Sequence, residues 1–265
     1  MSFEHIILIA FIQGITEFLP ISSSGHLVLI PNLTTLPDQG RVFDVAVHFG
    51  SFCAVVIYLW RDLTNILIGF FTFGARSANG FKLGLYALIA SLPLFFVGYF
   101  IQSMDISWLR SVEIIGWTTL LFGILLFFSD NFFLRVKNFD NFTFISVLLI
   151  GLAQVLAFLP GTSRAGIVIT AGRILGFERK AAAKFSLLLS IPAILGASTL
   201  EIIDLIQSDN SGLSLNIFFA SLFSFIISIS SIFLMMKWLS FASFTPFVIY
   251  RVFLGTVILL AIYFW

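Results

Sequence analysis

The stretch "QGITEFLPISSSGHLVL", Gln13 to Leu29, sets a glutamate, three consecutive serines and a histidine into an otherwise apolar segment. No other Asp, Glu, Lys or Arg occurs from His5 to Pro37, so the charge of Glu17 is isolated in the sequence. At bilayer depth such a charge costs at least about 2.5–3.5 kcal/mol and normally marks a functional site. Whether this segment lies in lipid depends on the rest of the chain.

The composition is typical of a membrane protein. Of the 265 residues, 59% are hydrophobic and 10% are charged, and the mean hydropathy is +1.08. A soluble domain carries about 25% charged residues, so we expect an all-α, polytopic integral membrane protein. The net charge of +1, without a basic stripe, excludes a nucleic-acid partner. Cys53 is the only cysteine, which excludes an internal disulfide and a thiolate metal site.

Apolar runs predict the spans, because a spanning helix needs about 20 apolar residues. The seven runs that qualify are Phe43–Trp60, Leu83–Ile101, Ile114–Phe128, Phe142–Leu159, Phe185–Leu200, Leu215–Met236 and Phe247–Trp265. Shorter apolar pieces flank the polar stretches, at Ile6–Leu19, Gly25–Ile30, Leu63–Ala75 and Ala165–Leu175. They predict two pairs of re-entrant or broken helices, which membranes tolerate where these line a buried, wet cavity.

Lys and Arg are unevenly distributed along the chain. They cluster at Arg61–Lys82, Arg135–Lys137, Arg173–Lys184 and Lys237. An excess of Lys and Arg is typical of cytoplasmic loops, so we expect these four groups to lie on the cytoplasmic side of the membrane.

A second polar stretch echoes the first. "EFLPISSSG" at Glu17–Gly25 and "AFLPGTSRAG" at Ala157–Gly166 superpose at a constant offset of 140 residues, which pairs Ser23 with Ser163. We therefore expect one transmembrane domain, residues 1–265, built as a helical bundle from two inverted repeats at about 1–130 and 141–265. Repeats with broken helices place their site at the repeat interface, so the two stretches should meet around one ligand.

Gln13 and Glu17 are four residues apart, so one helical face presents both side chains. Pro20 then ends the helix. A Gln beside a carboxylate can orient it, a water molecule or a metal ion; the alternative is an ordinary polar helix contact. No metal-binding motif is present, so no cofactor is required. Glu17 is the one candidate ligand with which a divalent cation, Mg²⁺ or Ca²⁺, could be held together with substrate phosphates.

The serines that follow form a possible reaction centre. Ser22, Ser23 and Ser24 supply hydroxyls and backbone N–H groups, and Gly25 permits close approach of a ligand. A new helix beginning near His26 turns its N-terminus toward an anion. A serine, an imidazole and the preceding carboxylate make a nucleophile, base and acid set. The alternative is that the serines cap helices, as serines commonly do.

"PGTSRAG", Pro160–Gly166, repeats this design with an arginine. Gly161 lets the backbone come close, Thr162 and Ser163 can donate hydrogen bonds, and the planar guanidinium of Arg164 suits phosphate oxygens. The two stretches together describe an anion site, and the anion expected within a membrane is a pyrophosphate on a lipid tail. The alternative is a structural salt bridge that joins the repeats.

Two further polar residues have weaker functional signals. His48, in "FDVAVHFGS", is more often a packing histidine that pairs with Asp44 one turn earlier than a catalytic group. Arg251, in the last apolar run, is expected to have a snorkelling or structural role.

At these residues the chain resembles the undecaprenyl-diphosphate phosphatase family of the bacitracin-resistance type (BacA/UppP). That family carries an (E/Q)xxxE segment running into "FLPxSSxGH", and a "PGxSRSxxT" segment; here they are Gln13–Glu17, Phe18–His26 and Pro160–Arg164. The similarity extends through Phe43–Ser51 and Ala181–Ala197, and thus covers most of the chain.

The resemblance implies an enzyme of the bacterial plasma (inner) membrane that removes the terminal phosphate of C55-isoprenyl pyrophosphate for peptidoglycan synthesis. Its partners would be this lipid and the bilayer, and a homodimer stays open. The residues that match the motifs are Glu17, His26 and Arg164 as catalytic groups, Ser23 as nucleophile, and Gln13, Ser22, Ser24, Thr162 and Ser163 around the phosphates. Ala165 and Val168 stand where the family has Ser and Thr, so those two hydroxyls are missing here.

The preferred mechanism has Ser23 attack the terminal phosphorus while Arg164 and the helix ends hold the growing negative charge. Glu17 or His26 takes the serine proton. Direct attack by water, with Glu17 as base or metal ligand, is the alternative mechanism. A lipid-phosphate translocase is the alternative function, because transporters also combine inverted repeats with a charged midplane site.

Overall fold

The computed structural model describes residues 2–34, 36–101, 104, 107–207 and 215–264. Within these ranges the protein is helical and has no β-strand, which confirms the predicted all-α class. The α-helices of the described residues are α1 Phe3–Thr16, α2 Ser23–Leu33, α3 Arg41–Tyr58, α4 Trp60–Phe71, α5 Ala78–Ile101, α6 Val112–Phe132, α7 Phe144–Gln154, α8 Arg164–Ile174, α9 Arg179–Gln207, α10 Leu215–Trp238 and α11 Thr245–Phe264.

Six helices of the described residues are long and apolar enough to cross a membrane: α3, α5, α6, α10, α11 and the Arg179–Thr199 part of α9. The protein is therefore a multi-pass membrane protein. The prediction of a seventh span at Phe142–Leu159 is wrong, because α7 ends at Gln154 and a tighter 3₁₀ turn follows it. Leu159 is already extended, with ψ 112°. A residue before proline is disfavoured in the α region, so Pro160 stops the helix.

Two short helical hairpins, α1–α2 and α7–α8, lie among the long helices. Their matching positions are 141 residues apart: the hydroxyls of Ser2 and Thr143 cap α1 and α7, and those of Ser22 and Ser163 cap α2 and α8. The constant offset of 140 is therefore wrong outside the "FLP" letters. Two residues separate Pro160 from its cap, whereas only Ile21 separates Pro20 from Ser22.

Close contacts between small residues hold the long helices around the hairpins. A Cβ on Gly50 of α3 would lie 2.1 Å from the carbonyl oxygen of Ser221 of α10. In the same interface the hydroxyl of Ser51 lies 3.1 Å from that of Ser224 and 2.9 Å from that of Ser228. Small residues and interhelical hydrogen bonds drive helix association in membranes. The pair α3–α10 thus forms a rigid wall, on which α1 packs through Gly14.

Buried ion pairs close one end of the bundle. The Asp130 carboxylate, near the end of α6, accepts hydrogen bonds from Arg173 Nε at 3.1 Å and from Arg179 Nε at 2.7 Å. Lys184 Nζ lies 2.7 Å from a carboxylate oxygen of Asp62, at the start of α4. Members of separate Lys and Arg groups therefore lie together, as predicted. We call this end of the bundle the basic end.

Candidate active site

The tips of the two hairpins touch each other. Ser22 (φ 74°) and Ser163 (φ 69°) have left-handed backbones, and their hydroxyls accept the N–H groups of Gly25 at 3.3 Å and Gly166 at 3.0 Å. Non-glycine residues in this region cost about 1–3 kcal/mol and cluster at functional sites. A Cβ on Gly25 would lie 3.3 Å from Gly161 Cα of the other tip. The N-termini of α2 and α8 therefore meet.

The carboxylate of Glu17 is the centre of the polar contacts at this meeting point. Arg164 Nη2 donates to Glu17 Oε1 at 3.2 Å. Ser23 Oγ donates to Oε2 at 2.6 Å, and Gln13 Nε2 donates to the same oxygen at 3.0 Å. His48 Nε2 lies 4.0 Å from Oε2. The structure thus brings together four residues from the two polar stretches and a histidine from α3.

A cavity of about 220 Å³ opens over these groups. One side of it is polar and the other is apolar. Its polar lining consists of Glu17, Ser22, Ser23, Ser24, His48, Ser163 and Arg164, and its apolar lining of Leu94, Ala157, Phe158, Ala193, Ile194 and Ala197. A concave apolar pocket with a few convergent polar groups is typical of a ligand site.

The arrangement suits attack on an electrophilic phosphorus. A serine hydroxyl that donates to a carboxylate at 2.6 Å has its proton acceptor in place. Arg164 Nη1 also donates to the carbonyl of Ser186 at 3.2 Å. A guanidinium has five N–H donors, and these two bonds use one at each terminal nitrogen. The Arg164 side chain therefore keeps donors for phosphate oxygens while remaining fixed in direction.

His26 faces away from the cavity and does not line it in the described structure. Its Nδ1 lies 2.6 Å from the carbonyl oxygen of Ser22, and its Nε2 lies 2.5 Å from the hydroxyl of Tyr250, on which the imidazole stacks. A carbonyl oxygen only accepts, so Nδ1 carries the hydrogen and Nε2 accepts from Tyr250. Both ring nitrogens are thus engaged in holding the first hairpin tip, and Glu17 is the nearer acceptor for the Ser23 proton.

The other predicted phosphate contacts are distributed around the tips. Ser24 is exposed at the cavity, with its hydroxyl 3.4 Å from that of Ser22. The Ser22 and Ser163 hydroxyls are engaged in helix capping, the alternative considered from the sequence. The hydroxyl of Thr162 is buried and has no hydrogen-bond partner among the described residues. Their roles toward phosphate stay predictions.

Sequence reasoning gave His48 too little weight. Its Nδ1 lies 2.7 Å from the backbone carbonyl of Asp44, whose side chain accepts instead from Gln39 at 2.9 Å. The expected side-chain pair of His48 and Asp44 is therefore replaced by a backbone contact, which turns Nε2 toward Glu17. A polar side chain within an apolar run was the available signal.

Arg251 was also only partly understood. Snorkelling is wrong for this residue, because its side chain is fully buried between α6 and the hairpin tips. Tyr250, the neighbour that contacts His26, had no signal in the sequence, because its role depends on how α11 packs.

Comparison with known proteins places this geometry in a family. A family model described as "Bacitracin resistance protein BacA" matches residues 6–257. The chain is 43% identical over 262 residues to an undecaprenyl-diphosphatase of Ruegeria pomeroyi, with 98% of each chain covered. It is 41% identical over 261 residues to one of Alteromonas mediterranea, again with 98% of each covered. Its resemblance to the bacitracin-resistance type is thereby confirmed, and the chain belongs to the bacitracin resistance protein BacA family.

Proposed function

We propose that this chain is an undecaprenyl-diphosphatase of a bacterial plasma (inner) membrane. It removes the terminal phosphate of undecaprenyl pyrophosphate and so returns undecaprenyl phosphate, the carrier lipid of cell-wall synthesis, and confers bacitracin resistance. Relatives of matching length carry this enzyme name. The observation that carries the proposal is the Glu17 carboxylate, which joins the Ser23 hydroxyl at 2.6 Å to the Arg164 guanidinium at 3.2 Å across two hairpins.

These contacts support a serine mechanism. Ser23 Oγ attacks the terminal phosphorus, its proton passes to Glu17, and the bond from this phosphorus to the bridging oxygen breaks, which releases undecaprenyl phosphate. Water then attacks the phosphoserine, and inorganic phosphate leaves. Arg164 and the N-termini of α2 and α8 stabilise the charge on the phosphoryl oxygens, and positioning with charge stabilisation supplies most of the rate in phosphoryl transfer.

The cavity supports an amphiphilic substrate. Its polar side holds the groups that suit a diphosphate, and its apolar side, with Phe158 and Ile194, suits the first isoprene units. The correspondence of the hairpin caps at 141 residues also supports the inference that the halves, about 1–130 and 141–265, are inverted repeats with re-entrant helix pairs.

Release of inorganic phosphate tests the function directly. Purified protein in detergent, given undecaprenyl or farnesyl pyrophosphate, should release one phosphate per lipid consumed. The same protein in vesicles should not be needed for turnover, because the site acts on the headgroup. Movement of the lipid between leaflets without phosphate release would contradict the enzyme assignment and point to a translocase.

A divalent cation, Mg²⁺ or Ca²⁺, is part of the proposal. Among the described residues no cluster of three His, Cys, Asp or Glu is available to hold a metal ion. Gln13 Oε1, however, is buried without a partner in the described structure, beside Glu17. Hard cations bind amide and carboxylate oxygens, so these two residues would hold the ion together with substrate phosphates, whose charge it would neutralise. We expect excess EDTA to lower the rate and Mg²⁺ or Ca²⁺ to restore it. An unchanged rate in EDTA would contradict the cation.

The site is proposed to open away from the cytoplasm. α9 begins at Arg179 in the basic end, and cavity residue Ile194 lies 15 residues further, which is about 22 Å along a helix rising 1.5 Å per residue. Basic groups favour the cytoplasmic face, and the hydrocarbon core is about 30 Å thick. The cavity is therefore nearer the external face.

Cysteine labelling tests this orientation. In a Cys53→Ala background, Ser24→Cys should react with a membrane-impermeant maleimide on right-side-out vesicles. The matched control is Lys180→Cys, at an exposed position of the basic end, which should react only after permeabilisation. The reverse pattern would place the site on the cytoplasmic side.

A further inference from the structure

Arg251 of α11 connects the two hairpin tips through one buried side chain. Its Nη1 donates to the carbonyl of Pro20 in the first tip at 3.2 Å. Its Nη2 donates to the carbonyl of Gly161 in the second tip at 2.8 Å. Its Nε donates to the carbonyl of Thr119 in α6 at 3.2 Å. The side chain is 0% exposed, so Arg251 holds both tips and α6 at once without lining the cavity.

The surroundings are shaped to fit this guanidinium. A Cβ on Gly166, in the first turn of α8, would lie 2.8 Å from Arg251 Nη1. A Cβ on Gly123 of α6 would lie 2.9 Å from Arg251 Cβ. Glycines at both positions leave the room that the side chain occupies. Few side chains other than arginine could reach three carbonyls on three segments, because its donors diverge in a rigid planar fork.

The charge of Arg251 has no carboxylate partner within the described structure. A buried charge without a counter-ion is expensive, and buried charges are normally paired. By contrast, Glu17 and Arg164 neutralise each other at 3.2 Å. A purely structural clamp would not need an unpaired cation. The positive charge beneath two helix N-termini instead favours a site that receives an anion.

We propose that Arg251 is a positioning residue for phosphate transfer, which fixes the spacing of the two hairpin tips so that Ser23 and Arg164 face the same phosphoryl group. It acts through these two residues, since its own donors are bound to backbone carbonyls. This inference rests on the proposed function. A displacement of reacting groups by about 1 Å can cost about 100-fold in rate.

The first experiment compares Arg251→Lys with Arg173→Lys. Both arginines are 0% exposed, but Arg173 lies in the basic end and pairs with Asp130. We measure kcat, KM and the thermal unfolding midpoint of the purified proteins. Both variants should lower the midpoint, whereas only Arg251→Lys should lower kcat, by about 100-fold. Equal kcat losses in the two variants, or a loss below about threefold in Arg251→Lys, would overturn the proposal.

A second pair of variants keeps the arginine and is the deciding test if Arg251→Lys fails to fold. Gly123→Ala pushes on Arg251 Cβ, whereas Gly116→Ala pushes on Ile258 and Leu259 of the same helix at 3.0 Å. The two strain the same α6–α11 interface. Gly123→Ala should lower kcat at least about tenfold, and Gly116→Ala less than threefold. Similar effects of both would reduce Arg251 to helix packing.

Binding of inorganic pyrophosphate separates this inference from the proposed function. If the wild-type protein releases no phosphate, the proposed function fails. Calorimetry with pyrophosphate still reports on the tips, and Gly123→Ala should then weaken binding at least about tenfold relative to Gly116→Ala. Unchanged binding in Gly123→Ala would overturn the role of Arg251 independently of turnover.

Discussion

Replacing Arg164 with alanine is expected to lower phosphate release by at least about 10³-fold while the protein remains folded in detergent. One donor to the developing charge is worth about 10²–10³ in rate, and an arginine in phosphoryl transfer about 10³–10⁵. Arg164→Lys keeps the charge but loses the planar fork, so its rate should lie between those of alanine and wild type. The measurement is phosphate release under saturating lipid. Near-normal turnover of Arg164→Ala would remove this residue from the mechanism.

A double variant separates catalysis from a structural salt bridge. Arg164→Ala leaves the buried Glu17 carboxylate without its guanidinium, and breaking a buried pair costs as much as about 3–5 kcal/mol. Glu17→Gln combined with Arg164→Met removes both charges and should recover the thermal unfolding midpoint. Activity should stay absent. Recovery of both stability and activity would show that the pair only joins the two hairpins.

Ser23→Ala is expected to have the second large effect, a loss of about 10⁴-fold or more, because removing a nucleophile abolishes the covalent route. Ser24→Ala is the matched control: its hydroxyl lies at the same cavity but is bonded to Ser22 and not to Glu17, so a loss of no more than about tenfold is expected. Mass spectrometry of acid-quenched reactions should find phosphate on residue 23.

Water attack would give a different result. If Ser23 only orients the Glu17 carboxylate through its 2.6 Å hydrogen bond, Ser23→Ala should lose about one neutral hydrogen bond, roughly 1 kcal/mol or fivefold. A loss that small, with no phosphoserine detected, would favour direct hydrolysis. Glu17→Gln should be severely impaired under either route, because both use the carboxylate as base.

Local sequence rules predicted the parts of the site that lie within one hairpin. The four-residue spacing of Gln13 and Glu17 gave their contact, which is 3.0 Å in the structure. The proline and the serines gave the turn and the helix that follows it. The isolated charges of Glu17 and Arg164 indicated that distant stretches meet, since neither charge has a partner nearby in sequence.

Features set by packing were out of reach. Whether His48 turns toward Glu17 depends on the placement of α3 beside α1, and His26 meets Tyr250 across 224 residues of chain. The seventh predicted span failed for a related reason. Hydropathy recorded the apolar character of Phe142–Leu159, but it could not show that the helix ends at Gln154 inside the bundle.

The 141-residue correspondence of the hairpins has a consequence for how such a protein could have arisen. At matching positions Glu17 faces Phe158, and Ser23 faces Arg164, although the buried Gln13 and Gln154 are the same residue type. Two copies of the first hairpin would oppose two anions, and two copies of the second would oppose two cations. A duplicated ancestor could therefore supply the scaffold, but the chemistry required the halves to diverge into unlike partners that are useless apart.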